Sequence, residues 1–316
     1  MNTGSLTVIS SIQSGIASVK DPCLYQETNF NNRADAIDFI EFNIIDRIDG
    51  LLQNADIKNE LNVLKHRAEK FKRRLQKIDA DLFIRLREKI RNSTDASTTF
   101  NEIIRQYAAG DFNNTGGDDE PGYDNLDIFI NGLLSQHFMP AAIPERKPGM
   151  VFFQKTPARI VFQMAALMKL NCDDVFFDIG SGLGQVAILV NLLGGTKATG
   201  IEYEAAYCDY AKECAAQLNL HNVEFINANA VDVNYSAATV LFVYTPFEGN
   251  MLKEMVEVLR KAAQRKPIRL FTYGPCSSFI AAQPWLECIN GTVDDAYKLY
   301  AFKSLDTAIT GKKSMF

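Results

Sequence analysis

DVFFDIGSGLGQVAI, residues 174–188, opens on a short run in which apolar and aromatic side chains surround one interior acid, Asp178. A run of that kind reads as a strand buried on both faces. Gly180, Gly182 and Gly184 then give the backbone access to left-handed conformations, and an apolar helical stretch continues through Leu193. Strand, glycine turn and helix in that order make a nucleotide-binding turn, because the helix N-terminus offers free amide donors to a carboxylate or phosphate.

Outward from this turn the pattern stays regular. Residues 157–170 read as a helix with proline at its first position. Residues 197–202, 223–226, 239–244 and 268–273 read as further strands, with helices over 204–218 and 249–263. Residues 285–289 and 296–302 add a closing antiparallel hairpin at the sheet edge, and 307–316 reads as a tail. The alternation predicts an α/β, doubly wound, Rossmann-like seven-stranded sheet whose ligands bind beyond the C-terminal strand ends.

Glu202 ends the second strand 22 residues after Gly180, where a carboxylate can accept both hydroxyls of a ribose. Gly182-x-Gly184-x-x-Ala187 also satisfies the loose dinucleotide fingerprint, so an NAD-dependent oxidoreductase is the rival reading. Two features favour S-adenosylmethionine. Asp178, two residues before the first glycine, suits an ammonium group rather than a pyrophosphate, and only 114 residues follow Glu202, where a dehydrogenase needs a substrate domain.

The N-terminal third is different in kind. Residues 1–30 show weak periodicity and are expected to be a weakly structured leader. Ile37, Ile40, Ile44, Ile48 and Leu51 recur at helical spacing, and from about residue 56 a second helix carries Ile57, Leu61, Leu64, Ala68, Phe71, Leu75, Ile78 and Leu82 four and three apart. Such a stripe wants a partner helix, which raises self-association. Residues 65–91 hold eleven Lys or Arg against four acids, so the face is also a candidate docking surface for an acidic partner. A third helix is expected from the capping box Thr99-x-x-Glu102 to about Ala109. The expected organisation is a leader over 1–30, a helical bundle over 31–110, a glycine- and acid-rich linker over 111–122, and a catalytic domain over 123–316.

Composition narrows the function classes. The chain has 316 residues, 47% apolar and 22% charged, with a net charge of −5. An acidic whole argues against blanket nucleic-acid affinity. No apolar stretch approaches the roughly 20 residues a bilayer core demands, and residues 1–15 lack the basic n-region of a secretory signal, so a cytoplasmic protein is expected. Six cysteines never approach CxxC spacing and only three histidines are present, so no metal site is expected.

Residues 150–302 resemble a class I S-adenosylmethionine-dependent methyltransferase, in the DIGSGLG loop (178–184) followed by the strand-end acid of GIE (200–202). The lead-in FFQKTP (152–157), DVFFDIGSGLGQVAI and VLFVYTPF (240–247) are similar to the bacterial relatives of non-SET protein-lysine methyltransferases, the telomeric-silencing and ATP-synthase c-subunit types. In the telomeric-silencing type the motif after the fourth strand is asparagine-rich, whereas here it is Tyr244-Thr245-Pro246-Phe247. The resemblance implies that Asp178 and the loop Gly180, Ser181, Gly182 and Gly184 hold the methionine portion, with Thr156 near its carboxylate. Glu202 takes the ribose; Asn229 stands where many relatives carry the acid for the adenine amino group, with Asp232 as the fallback.

Methyl transfer from a sulfonium is an in-line displacement, which asks for alignment and a deprotonated nucleophile. Tyr244, Thr245 and Phe247 at the fourth strand's exit, with Gln154 of the lead-in, are the candidate catalytic residues; Phe152 and Phe153 are placed to close the site. Cys276, in Tyr273-Gly274-Pro275-Cys276, invites a nucleophile reading, but no second Pro-Cys follows the fourth strand, and a structural cysteine is expected. The expected acceptor is a protein side chain, a lysine. A small-molecule or nucleic-acid methyltransferase and a non-catalytic cofactor-binding module remain alternatives.

Overall fold

The structure, a computed structural model, describes residues 3–52, 57–108, 122–134, 140, 149, 151, 153–170 and 173–305. Most of the 111–122 segment, Phe152 and the 307–316 tail lie outside them. The chain forms two compact units: one from the described residues within Met1–Glu88, Glu102–Asn114 and Asp124–Leu133, the other from those within Lys89–Asn101, Thr115–Tyr123 and Leu134–Phe316.

The first unit is helical: α1 (Thr3–Ser18), α2 (Phe30–Asp38), a π-helical turn Phe39–Ile45, α3 (Asp46–Leu52), most of α4 (Lys58–Arg91), and parts of α5 (Ala96–Tyr107) and α6 (Asn125–Leu134). The segment expected to be a weakly structured leader is largely helix instead. Ile12 and Ile16 of α1 are buried with Ile40, Ile44 and Ile48 and with Leu61, Leu64 and Ala68 of α4. The α1 sequence disguises this, because its apolar positions are interleaved with small polar residues and only one narrow edge is buried.

That packing also answers the α4 stripe. Its Leu61, Leu64, Ala68 and Leu75 are spent inside the unit, which removes the seam on which self-association was expected. The basic face is substantially neutralised from within. Lys65 pairs with Asp49, Lys72 with Glu41, Arg85 with Glu27, Arg73 with Glu69 and Lys77 with Asp81, while Arg74 lies over the Tyr25 ring. These observations support a solvated, ion-paired face rather than a docking surface. Beneath it, fully buried Arg33 donates to Asp79 at 2.7 Å and to the carbonyls of Leu24, Gln26 and Glu27.

The second unit is built on a seven-stranded sheet: β1 (Val175–Ile179), β2 (Lys197–Glu202), β3 (Val223–Asn227), β4 (Val240–Tyr244), β5 (Arg269–Tyr273), β6 (Leu286–Cys288) and β7 (Tyr300–Ser304), in the order β3-β2-β1-β4-β5-β7-β6. The first five are parallel, and β7 runs antiparallel between β5 and β6. This is the doubly wound, Rossmann-like seven-stranded sheet that the sequence predicts. Helices α7 (Ala158–Met168), α8 (Gln185–Gly194), α9 (Ala205–Gln217), α10 (Gly249–Ala263) and α11 (Cys276–Ala281) accompany it.

Three boundaries in this part of the chain differ from expectation, the first being that α6, expected within the catalytic domain over 123–316, falls almost wholly in the first unit. The third helix begins at α5, three residues before the capping box, because Asp95 captures the first turn: its carboxylate accepts from the Thr98 amide at 3.1 Å and hydroxyl at 2.6 Å. Residues 89–101 also belong with the sheet rather than with the helical unit, where Phe100 meets the Phe162 ring, Asn101 donates to the Leu193 carbonyl, and Arg91 donates to the Gln217 carbonyl. No described helix is long and apolar enough to cross a membrane.

Candidate functional site

The strand order fixes where chemistry can occur. β1 and β4 are neighbours at the centre of the sheet, so the exits of β2, β1, β4 and β5 converge on one edge. Gly180 and Ser181 both donate to the Ile201 carbonyl at 2.9 Å, which folds the glycine loop back over β2. Gly180, Gly182 and Gly184 all have positive φ, as the sequence requires of them. At Gly182 a Cβ would stand 2.1 Å from the Phe153 ring, so the loop also needs the missing side chain for space.

A cleft at this edge is lined by Gln154, Gly180, Glu202, Asn229, Tyr244, Thr245 and Phe247 among the expected residues, and by Phe153, Glu204, Tyr207 and Tyr297 beside them. An adjoining smaller recess is lined by Lys155, Thr156, Asp178 and Ser181, and shares Phe153, Gln154, Gly180 and Tyr244 with the cleft. Gly182 and Gly184 serve from behind: the Gly182 amide donates to Glu202 Oε2 at 2.8 Å, and Gly184 caps α8. Asp232 does not join the site; it is exposed and absent from both linings, because the short 3-10 turn Ala230–Asp232 carries it outward.

The electrostatics are one-sided. Asp178 is buried at the end of β1 with Oδ2 unpartnered, and burial, with the Glu202 charge adding to it, pushes its carboxyl up to about 8. Glu202 is also raised, burial outweighing the backbone amides of Glu204 and Gly182 that bond its two oxygens at 2.7 and 2.8 Å. Among the described residues, no lysine or arginine lines the larger cleft. Such a place suits a ligand carrying positive charge.

On the far side of the cleft the Tyr244 and Tyr273 rings lie 4.9 Å apart and Tyr297 is 6.4 Å from Tyr273. Burial raises the Tyr244 phenol, so it stays a neutral hydrogen-bonding group. Thr245 is held at φ +35°, a conformation a β-branched residue adopts only when its surroundings enforce it. Its Oγ1 accepts from the Cys276 amide at 3.2 Å, and the β5 exit packs against it. That strain is invisible in sequence. Tyr207 and Tyr297 were missed as well; neither lies in a motif, and only α9 and the β6–β7 loop bring them to the cleft.

Cys276 is buried, its Sγ lies near the Val243 and Tyr273 carbonyls, and burial raises its thiol. A nucleophile needs the reverse. Cys276→Ala is expected to retain methyl transfer, and alkylation followed by mass spectrometry should modify exposed Cys23 well before Cys276. Loss of activity in a folded variant contradicts the structural role.

Residues 153–268 match the family model described as "Histone methylation protein DOT1". A ribosomal protein L11 methyltransferase of Clostridium perfringens (strain SM101 / Type A) is 28% identical over 118 residues, 37% of this chain and 36% of that protein. One from Alkaliphilus oremlandii (strain OhILAs) is 30% identical over 117 residues, 36% of each. The chain thus spans about a third of the length of these curated relatives. Among solved structures, an RNA methyltransferase from Salinibacter ruber in complex with S-adenosyl-L-homocysteine aligns over 48% of this chain and 92% of its own, at 22% identity and a TM-score of 0.37.

Proposed function

We propose that this chain is an S-adenosylmethionine-dependent methyltransferase that modifies a protein side chain, a lysine amine. The observation that carries the cofactor is the buried, unpartnered Asp178 carboxylate in a recess that also holds Lys155. A zwitterionic amino-acid end fits that pair, Asp178 holding the ammonium and Lys155 with Thr156 the carboxylate. Glu202, oriented by two backbone amides, holds the ribose. A dinucleotide pyrophosphate would instead face carboxylates, with no cation among the described residues lining the larger cleft. When bound, the cofactor supplies an electrophilic methyl group. The chain's own part is alignment: Tyr244, Thr245 and Phe247, with Gln154, shape the acceptor side, and Phe153 with Tyr207 closes the wall.

The acceptor reading rests on the aromatic side of the cleft, which suits an alkyl amine, and on the protein substrates named in the relatives' descriptions. Transfer of a labelled methyl group into lysate fractionated into protein, nucleic acid and small molecules tests this, with label expected in protein on lysine. The rate is expected to climb with pH toward the lysine range near 10.4, because the amine must lose its proton before attack. Label confined to nucleic acid or small molecules defeats the lysine reading. No label despite cofactor binding identifies a non-catalytic module.

A further inference from the structure

We infer that Glu204, at the exit of β2, is the carboxylate that receives the adenine amino group, with Asn229 at the exit of β3 serving the ring nitrogen beside it. The inference rests on the cofactor reading above and deepens it.

Glu204 stands two residues past Glu202 at the N-terminal cap of α9, yet its side chain does not cap the helix. Its backbone is fully occupied: the amide donates to Glu202 Oε1 at 2.7 Å and the carbonyl accepts from the Cys208 amide at 3.0 Å. Its Oε2 is buried, has no partner, and belongs to a residue that lines the cleft. A buried carboxylate oxygen left without a donor is costly, so its retention in a ligand cleft points to a donor brought by the ligand.

The neighbours say which donor. Glu202 already accepts one backbone amide on each oxygen and is thereby fixed in orientation, leaving its remaining lone pairs for the paired ribose hydroxyls. Asn227 Nδ2 donates to the carbonyls of Glu202 and Tyr203, and the Ala228 amide donates to the Glu202 carbonyl at 3.0 Å. The two strand exits are therefore laced together, and Glu204 and Asn229 both line the cleft beside that lacing. Asp232, the other acid of the β3 exit, is exposed and outside both linings. Adenine offers an exocyclic N–H donor beside a ring-nitrogen acceptor. A carboxylate from Glu204 and an amide from Asn229 complement that pair, the carboxylate taking the amino hydrogen and the amide serving the ring nitrogen.

The base edge provides the test. Calorimetry on the full chain compares S-adenosylhomocysteine with S-inosylhomocysteine, in which a carbonyl replaces the amino group, for wild type and Glu204→Gln. The wild type is expected to favour the adenine compound by at least about tenfold, since the inosine carbonyl faces the carboxylate. Glu204→Gln is expected to weaken the adenine compound about ten- to a hundredfold, the range for a lost charged hydrogen bond. It should bind the inosine compound more tightly than wild type does, because the glutamine amide can turn its N–H toward the carbonyl that the carboxylate repels. Without ligand, Glu204→Gln should melt no lower than wild type. Equal weakening of both compounds, no change in either, or a clear drop in ligand-free melting temperature overturns the inference. A wild type that binds neither compound overturns the cofactor reading itself, which separates the two failures.

Discussion

Asp178→Asn is expected to weaken S-adenosylmethionine binding about ten- to a hundredfold while making the ligand-free protein more stable at pH 8. The two effects have one cause. The carboxyl is buried, one oxygen has no partner, and its pKa is pushed up to about 8, so the ionised form carries a desolvation penalty that only a ligand cation relieves. Losing the charged hydrogen bond to an ammonium accounts for the weakened binding, about 1.5 to 3 kcal/mol. Each unit of pKa shift is worth about 1.4 kcal/mol, so removing the ionisable group spares the ligand-free fold several kcal/mol.

The pH window follows from the same shift. A carboxyl whose folded-state pKa is raised keeps its proton in the fold at pH values where the unfolded chain has released it, so stability falls with rising pH between about 4 and 8. Thermal melts of ligand-free wild type and Asp178→Asn should coincide near pH 4 and separate toward pH 8, with the variant higher. Glu202, also raised, leaves a smaller slope of the same sign in the variant. Binding at pH 7 should release a proton, since the ligand selects the ionised Asp178. Parallel melts across the window would place Asp178 in a solvated or already paired position.

The sheet was legible because each parallel strand is a short apolar run between glycine or polar turns, and the glycine loop admits few alternatives. Residues 197–202 were read to the boundary. The last strand was not: 296–302 is apolar enough to continue a strand, yet the Tyr300 hydroxyl accepts from the amides of Asp294 and Asp295, and the Asp295 carboxylate accepts from the Tyr297 amide, holding a turn until Tyr300. Side-chain capture of backbone donors depends on a fold already formed and leaves no periodic trace. The same limit governs the site. Asp178 and Glu202 declare themselves by position relative to glycines and strand ends. Glu204, Tyr207 and Tyr297 become site residues only through the direction of a helix cap, a helix face and a loop.

Gly184→Ala should be the most damaging single methyl added to the loop, and its damage should fall on the fold rather than on the ligand. The residue has φ +82°, where a Cβ costs roughly 1 to 2 kcal/mol, and that Cβ would stand 2.6 Å from both the Ala211 Cβ and the Phe225 ring. Ala211 is fully buried on α9 and has no rotamer to yield, so relief requires moving the helix against β2 and β3. Overpacking of that kind costs about 1 to 3 kcal/mol more. Together these predict a melting temperature lower by roughly 4 to 20 °C, at about 2 to 4 °C per kcal/mol for a domain of this size. Gly182→Ala is the contrasting case. The nearest atoms its Cβ meets belong to the Phe153 ring, the far end of a side chain that can swing away, so most of its cost should appear as weaker cofactor binding with a smaller thermal loss. Calorimetry and thermal melts on the two variants separate these outcomes. A Gly184→Ala protein melting within about 2 °C of wild type would show that α9 is not held against the loop as tightly as the Ala211 and Phe225 contacts require.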